Sequence, residues 1–147
     1  MKSYFKEIML LFFVTVLMLP ACKKHEVKNY FVSFTWNGST RTLKDTSTFF
    51  AVSSTGISGL QIYDVNNGTT MNFILNKPEF SVGSYFDSLN CTVNDNLMIY
   101  LSESGNISIN EVTNNDVKGT ITAQLNYVAD TTIHKQLFID FYVPYYK

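Results

Sequence analysis

From Tyr30 onward apolar and polar residues alternate with a period of two, the spacing of half-buried strands. Tyr30, Val32, Phe34 and Trp36 take turns with Ser33 and Thr35, and the Asn37-Gly38 pair that follows accepts the positive φ angles of a two-residue hairpin turn. Residues 39–43 form the return strand. Further strands are predicted over residues 48–53, with Phe49 and Ala51 on one side, and over residues 60–65. After a turn at Asn66, Asn67 and Gly68 comes a strand carrying Met71, Phe73 and Leu75. Pro78 cannot donate to a ladder and marks a break. An irregular stretch with Val82, Gly83, Ser84, Tyr85 and Phe86 follows it, then a short strand around Cys91 to Val93 that ends at Asn94, Asp95 and Asn96. Leu97, Ile99 and Leu101 make one stripe with Met98 and Ser102 opposite. Gly105 and Asn106 are expected to turn, and Ile107 and Ile109 alternate with Ser108 and Asn110.

Two long strands finish the pattern. Val117, Gly119, Ile121, Ala123, Leu125 and Tyr127 face one way, with Lys118, Thr120, Thr122, Gln124 and Asn126 facing the other. The last strand sets Leu137, Ile139, Phe141 and Val143 against Gln136, Phe138, Asp140 and Tyr142. No stretch after Val27 combines helical spacing with caps. The expected fold is all-β, an antiparallel two-sheet β-sandwich of eight to ten strands, with a small antiparallel, lipocalin-like β-barrel as the alternative.

The beginning of the chain obeys a different rule. Lys2 and Lys6 precede an apolar run from Ile8 to Leu19 that is shorter than the roughly 20 residues of a membrane-spanning helix, so it reads as an export signal. Leu19, Pro20, Ala21 and Cys22 resemble the lipobox of bacterial lipoproteins, in which the cysteine is acylated and the leader is cut before it. The expected organisation is a signal peptide over 1–21, a lipidated tether over 22–28 and a single β domain over 29–147. Cys22 is the lipid-attachment residue on this reading, and each buried acyl methylene contributes about 0.8 kcal/mol to anchoring. The charged residues Lys23, Lys24, Glu26 and Lys28 behind it resemble export signals of surface-exposed Bacteroidetes lipoproteins, which points to the outer membrane.

Charge narrows the function classes. From Asn29 to Lys147 ten acids stand against six scattered bases, so the positive stripe that a nucleic-acid partner requires is missing from the sequence. With Cys22 acylated, Cys91 is the other cysteine, and it reads as a small buried hydrophobe rather than a nucleophile. His134 reads as a solvated residue at the opening of the last strand, with too little around it for a triad or a zinc site. Asp64, Asn66 and Gly68 spell half of a calcium loop, but Leu75 stands where the bidentate glutamate belongs, so an Asx turn is expected. Glu103, Glu111, Asp116, Asp130 and Asp140 supply no pair that the sequence places in one site. No metal, cofactor or catalytic residue is expected. Nine phenylalanines, eight tyrosines and Trp36 follow the leader. Of these, Phe31, Tyr63, Tyr100, Phe138, Tyr142 and Tyr146 fall opposite the main apolar stripes, where exposed rings among amides and hydroxyls suit sugars or a protein partner.

The turns and core positions also carry a resemblance. Phe34 with Asn37 and Gly38, then Gly83, Ser84 and Tyr85, then Gly105, Ile107 and Ile109, then Gly119, Thr120 and Ile121 resemble a set of small β-rich Bacteroidetes lipoproteins of unknown function. The resemblance covers most of residues 30–143; it departs at Arg41 and Thr42, where those proteins often carry Trp, and at Ile121, where they carry an aromatic. It implies a fold and an envelope address, and no reaction. The functional expectation is a membrane-anchored, non-catalytic binding domain with a glycan or envelope-protein partner. The alternatives are a glycan-processing enzyme or its accessory carbohydrate-binding protein, and a structural envelope component.

Overall fold

Alternation becomes ten strands in the computed structural model, which describes residues 28–86 and 89–147. They are β1 (Phe31–Trp36), β2 (Ser39–Leu43), β3 (Phe49–Ser54), β4 (Ile57–Asp64), β5 (Thr69–Leu75), β6 (Gly83–Phe86), β7 (Leu89–Asp95), β8 (Met98–Val112), β9 (Asp116–Tyr127) and β10 (Asp130–Tyr146). The leader, Cys22 and most of the expected tether lie outside the described residues.

β10, β3, β4, β5, β7, β8 and β9 form a closed ring, because β9 pairs with β8 along one edge and with β10 along the other. The closing contact between β10 and β3 is parallel and short, joining Tyr145 to Ala51 and Tyr146 to Val52; the other pairings are antiparallel. The fold is therefore all-β, and its ring is the small barrel of the sequence reading with β1, β2 and β6 added. The ten strands form one sheet rather than the two separate sheets expected, and the length of two strands explains how. β8 and β10 run for 15 and 17 residues, and each changes partner along one edge. β8 pairs with β7 through Met98–Leu101 and with β6 through Asn106–Ile109, while β10 pairs with β1 through Phe138–Tyr142 before it reaches β3. The result is a wide wall in the order β2-β1-β10-β9-β8-β6 facing a narrow wall in the order β3-β4-β5-β7.

Between the walls the inward residues fill the interior. Phe34, Trp36, Phe49, Phe73, Tyr100 and Phe141 are among the largest fully buried side chains, and Trp36 meets Tyr100 edge-on with ring centroids 5.1 Å apart. Such a pair adds about 1 kcal/mol beyond the area it removes from water. Phe80 plugs the other end of the ring against Tyr145, at 5.5 Å.

One stretch reverses the expectation. Tyr100 is buried, whereas Leu97, Ile99 and Leu101 are 96, 44 and 48% exposed. Gly105 and Asn106 do not turn but continue β8. The cause is a register shift: Ser102 opposes Leu125 and Ser104 opposes Gln124, so Glu103 is an extra residue, a β-bulge that exchanges the two faces of the strand. Ile107 and Ile109 then point inward beyond the bulge, while Tyr100 does so before it. Asn96 and Leu97, with φ of 47° and 78°, make the tight turn into β8.

Gly119 sets how closely the wide wall can pack. It lies opposite Ile109 on β8 and Phe141 on β10, and a Cβ placed there would stand 2.3 Å from the Ser108 carbonyl oxygen and 3.0 Å from the Phe141 ring. Gly119→Ala is therefore expected to lower unfolding free energy in a denaturant titration by about 3 kcal/mol. A loss below about 1 kcal/mol would contradict this packing.

Candidate functional site

Because side chains alternate across a strand, the inward stripe of β8, β9 and β10 fixes what the wide wall shows to solvent. One cross-strand row runs Thr35, Phe138, Thr122, Asn106 and Phe86 over β1, β10, β9, β8 and β6. Beside it lies the row Gln136, Gln124 and Ser104. Together they line a shallow depression of about 610 Å³, a size common among ligand sites. Phe86, 66% exposed, stands at the β6 margin, and Phe138, 48% exposed, stands one strand in from the margin formed by β1. None of the described residues that line the depression carries a charge. Among the described residues, one buried side-chain polar atom has no hydrogen-bond partner: Asn106 Oδ1, in the floor of this depression.

The margin formed by β1 is held at both ends by carboxylates. At its start, Asp116 accepts hydrogen bonds from Lys28 and Tyr30, and from Thr113 Oγ1 at 2.8 Å. At its end, Asp95 accepts from Trp36 Nε1 at 2.8 Å and from Thr69 Oγ1 at 3.2 Å. Asp64, also buried, takes Arg41 of β2 at 2.8 Å and the Asn67 amide at 2.9 Å. Burial opposes ionisation of Asp116, but the hydrogen bonds from Lys28, Tyr30 and Thr113 and the Lys28 charge outweigh it and hold the carboxyl below its ordinary range. Burial and the bond to Asp116 push the Tyr30 phenol well up.

The residues singled out in the sequence are dispersed. Cys91 is buried, and burial pushes its thiol up to about 12, so it stays protonated at neutral pH. His134 is exposed, bonded to Asn126 and 3.7 Å from Glu103 on the bulge. Asp116 is committed to Lys28 and Tyr30, and Asp130 to Thr132. Among the described residues no three of His, Cys, Asp and Glu come together as metal ligands. Asp64 does not make the expected Asx turn, since its carboxylate bonds the Arg41 and Asn67 side chains rather than the backbone of the 3-10 turn Val65–Asn67, and Gly68 closes that turn in the left-handed region.

Nor do the six aromatics share one face. Tyr100 is in the core. Tyr63 and Tyr146 flank Phe50, at 6.5 and 6.3 Å, on the side of the narrow wall, while Tyr142 leans on Tyr30 at 5.0 Å. No family model, curated protein or solved structure matches the chain. Of the six, Phe138 lines the depression. Its counterpart Phe86 was hidden in a stretch read as irregular, although Tyr85, half-buried, forces its neighbour outward. A second depression, of about 390 Å³, lies on the narrow wall over Gly59, between Val52 and Ile74.

Asp116 yields a pH signature. A carboxyl depressed in the folded state stabilises above its unfolded value of about 3.9, and that contribution is lost as pH falls through the lower folded value. Asp116→Asn should cost about 2 kcal/mol at neutral pH, with the gap to wild type closing below about pH 4 in denaturation curves. A gap of constant size across that range would contradict the assignment.

Proposed function

We propose that the chain is a lipid-anchored lipoprotein of the bacterial envelope, held at the outer membrane through Cys22, and that its β domain is a non-catalytic binding module whose binding surface is the depression on the wide wall. The observation that carries the reading is the pair of outward phenylalanines, Phe86 and Phe138, across an uncharged floor of amides and hydroxyls. Exposed apolar groups gathered around one concavity, rather than scattered singly, are a mark of ligand-binding grooves. The resemblance to small β-rich Bacteroidetes lipoproteins supports the address.

Lys28 adds a geometric argument. It follows Cys22 by six positions, a span of about 20 Å at full extension, and it is ion-paired to Asp116 at the turn between β8 and β9. An acylated Cys22 would keep that end of the domain close to the bilayer, with the depression on the flank, open to a partner approaching along the surface. The acidic residues that a glycan-processing enzyme would use are partly spent on this architecture, Asp116 above all.

A photo-crosslinking residue at Phe138, compared with one at Tyr146, tests the binding surface in living cells, and Cys22→Ala tests the anchor in the same strain. Wild type should partition with membranes and give an envelope adduct from position 138 and none from 146. Cys22→Ala should leave the membrane fraction. Membrane retention of that variant would defeat the anchor, and equal adducts from both positions would defeat the surface.

A further inference from the structure

The wide-wall depression has a chemistry more specific than its shape. Its floor is the middle of a continuous ladder, where the backbone groups of β8, β9 and β10 are already bonded to one another. A ligand resting on that floor is recognised by side chains alone, unlike a peptide that adds a strand at an edge such as β6. Among the described residues those side chains are uncharged, so they offer an anionic or cationic polymer no counter-charge. They are mainly amides and hydroxyls. Asn106, Gln124 and Gln136 each pair a donor with an acceptor, which matches vicinal hydroxyls that also give and take one hydrogen bond apiece. Phe138 and Phe86 lie three strand intervals apart in the register, about 14 Å. Their negative faces suit the C–H-lined faces of pyranose rings.

From this we infer that the depression is a binding site for an uncharged oligosaccharide lying across the strands. Its outer sugars stack on Phe138 and Phe86, and its inner hydroxyls meet Asn106, Gln124 and Gln136. The inference rests on the proposal that this surface is the binding surface, and it adds the ligand class. The unpartnered Asn106 Oδ1 is the second observation that points to a ligand. An amide oxygen shut away from water without a donor is costly, and a small rotation of the amide toward a sugar hydroxyl would relieve it. The depression of about 610 Å³ accommodates a short oligosaccharide rather than a single sugar.

The test uses the protein purified from membranes in detergent, with calorimetry and side-chain amide NMR. The probes are neutral gluco-, manno-, xylo- and galacto-oligosaccharides, set beside oligogalacturonate and chitosan oligosaccharides as charged controls. At least one neutral series should bind and shift the amide signals of Asn106, Gln124 and Gln136, and the charged probes should not. Phe138→Ala and Phe86→Ala should each weaken that binding by about tenfold, and Tyr146→Ala should leave it unchanged. Both phenylalanines are exposed, so the fold tolerates their truncation; Gln124→Ala offers an independent variant on the floor. Absence of neutral-sugar binding, or binding indifferent to Phe138, Phe86 and Gln124, overturns the inference. If the position-138 adduct in cells survives that result, the binding surface stands and the ligand class alone is wrong; if the adduct is missing too, both fall.

Discussion

The inward placement of Tyr100 is the constraint on which the rest depends. β8 must serve two walls, and a strand with unbroken alternation would put Ile99 and Leu101 into the core together with Ile107 and Ile109. The extra residue at Glu103 breaks that phase. Burial of a large ring against Trp36 is worth about 2 kcal/mol or more, while Ile99 and Leu101 still keep more than half of their surface covered on the outside. Beyond the bulge the strand resumes with Ile107 and Ile109 inward, so Ser104 and Asn106 are left facing out. The same inserted residue thus closes the core and supplies two side chains of the outer depression.

Carboxylates do the remaining work of assembly. Asp116 fixes the entry of β1, Asp95 fixes its end through Trp36, and Asp64 fixes β2 through Arg41. Buried or half-buried acids with satisfied partners tie an added hairpin to a closed ring. Lys135 lies 5.6 Å from the Trp36 ring and 5.7 Å from that of Tyr100 and bonds Asn37, which binds the turn between β1 and β2 to the start of β10. Much of the charge is therefore committed to edges and ends. The middle of the wide wall is left with amides, hydroxyls and two rings.

Much of this was legible in the residues. The period of two located the strands, Asn37-Gly38 located the first hairpin, and the inward sets on β9 and β10 were read correctly from Val117 to Leu125 and from Leu137 to Val143. Phase and partnership were harder. A bulge has no fixed sequence mark, so Glu103 looked like any polar residue and Gly105-Asn106 looked like a turn. Pairing of β10 with both β1 and β3 is a property of the whole sheet, which no local pattern encodes. The candidate site followed the same division: Phe138 was visible from alternation on the last strand, whereas Phe86 emerged only once β6 was known to pair with β8.

Hydroxyl-radical footprinting of the protein, isolated and in intact envelopes, tests the central claim most directly. In the isolated protein, Phe86 and Phe138 should be oxidised readily while Trp36 and Tyr100 are protected; in envelopes, the two phenylalanines should become protected and Tyr146 should not. Oxidation of Tyr100 as fast as Phe138, or phenylalanines already protected in the isolated protein, would contradict the phase of β8 and the outer surface built on it.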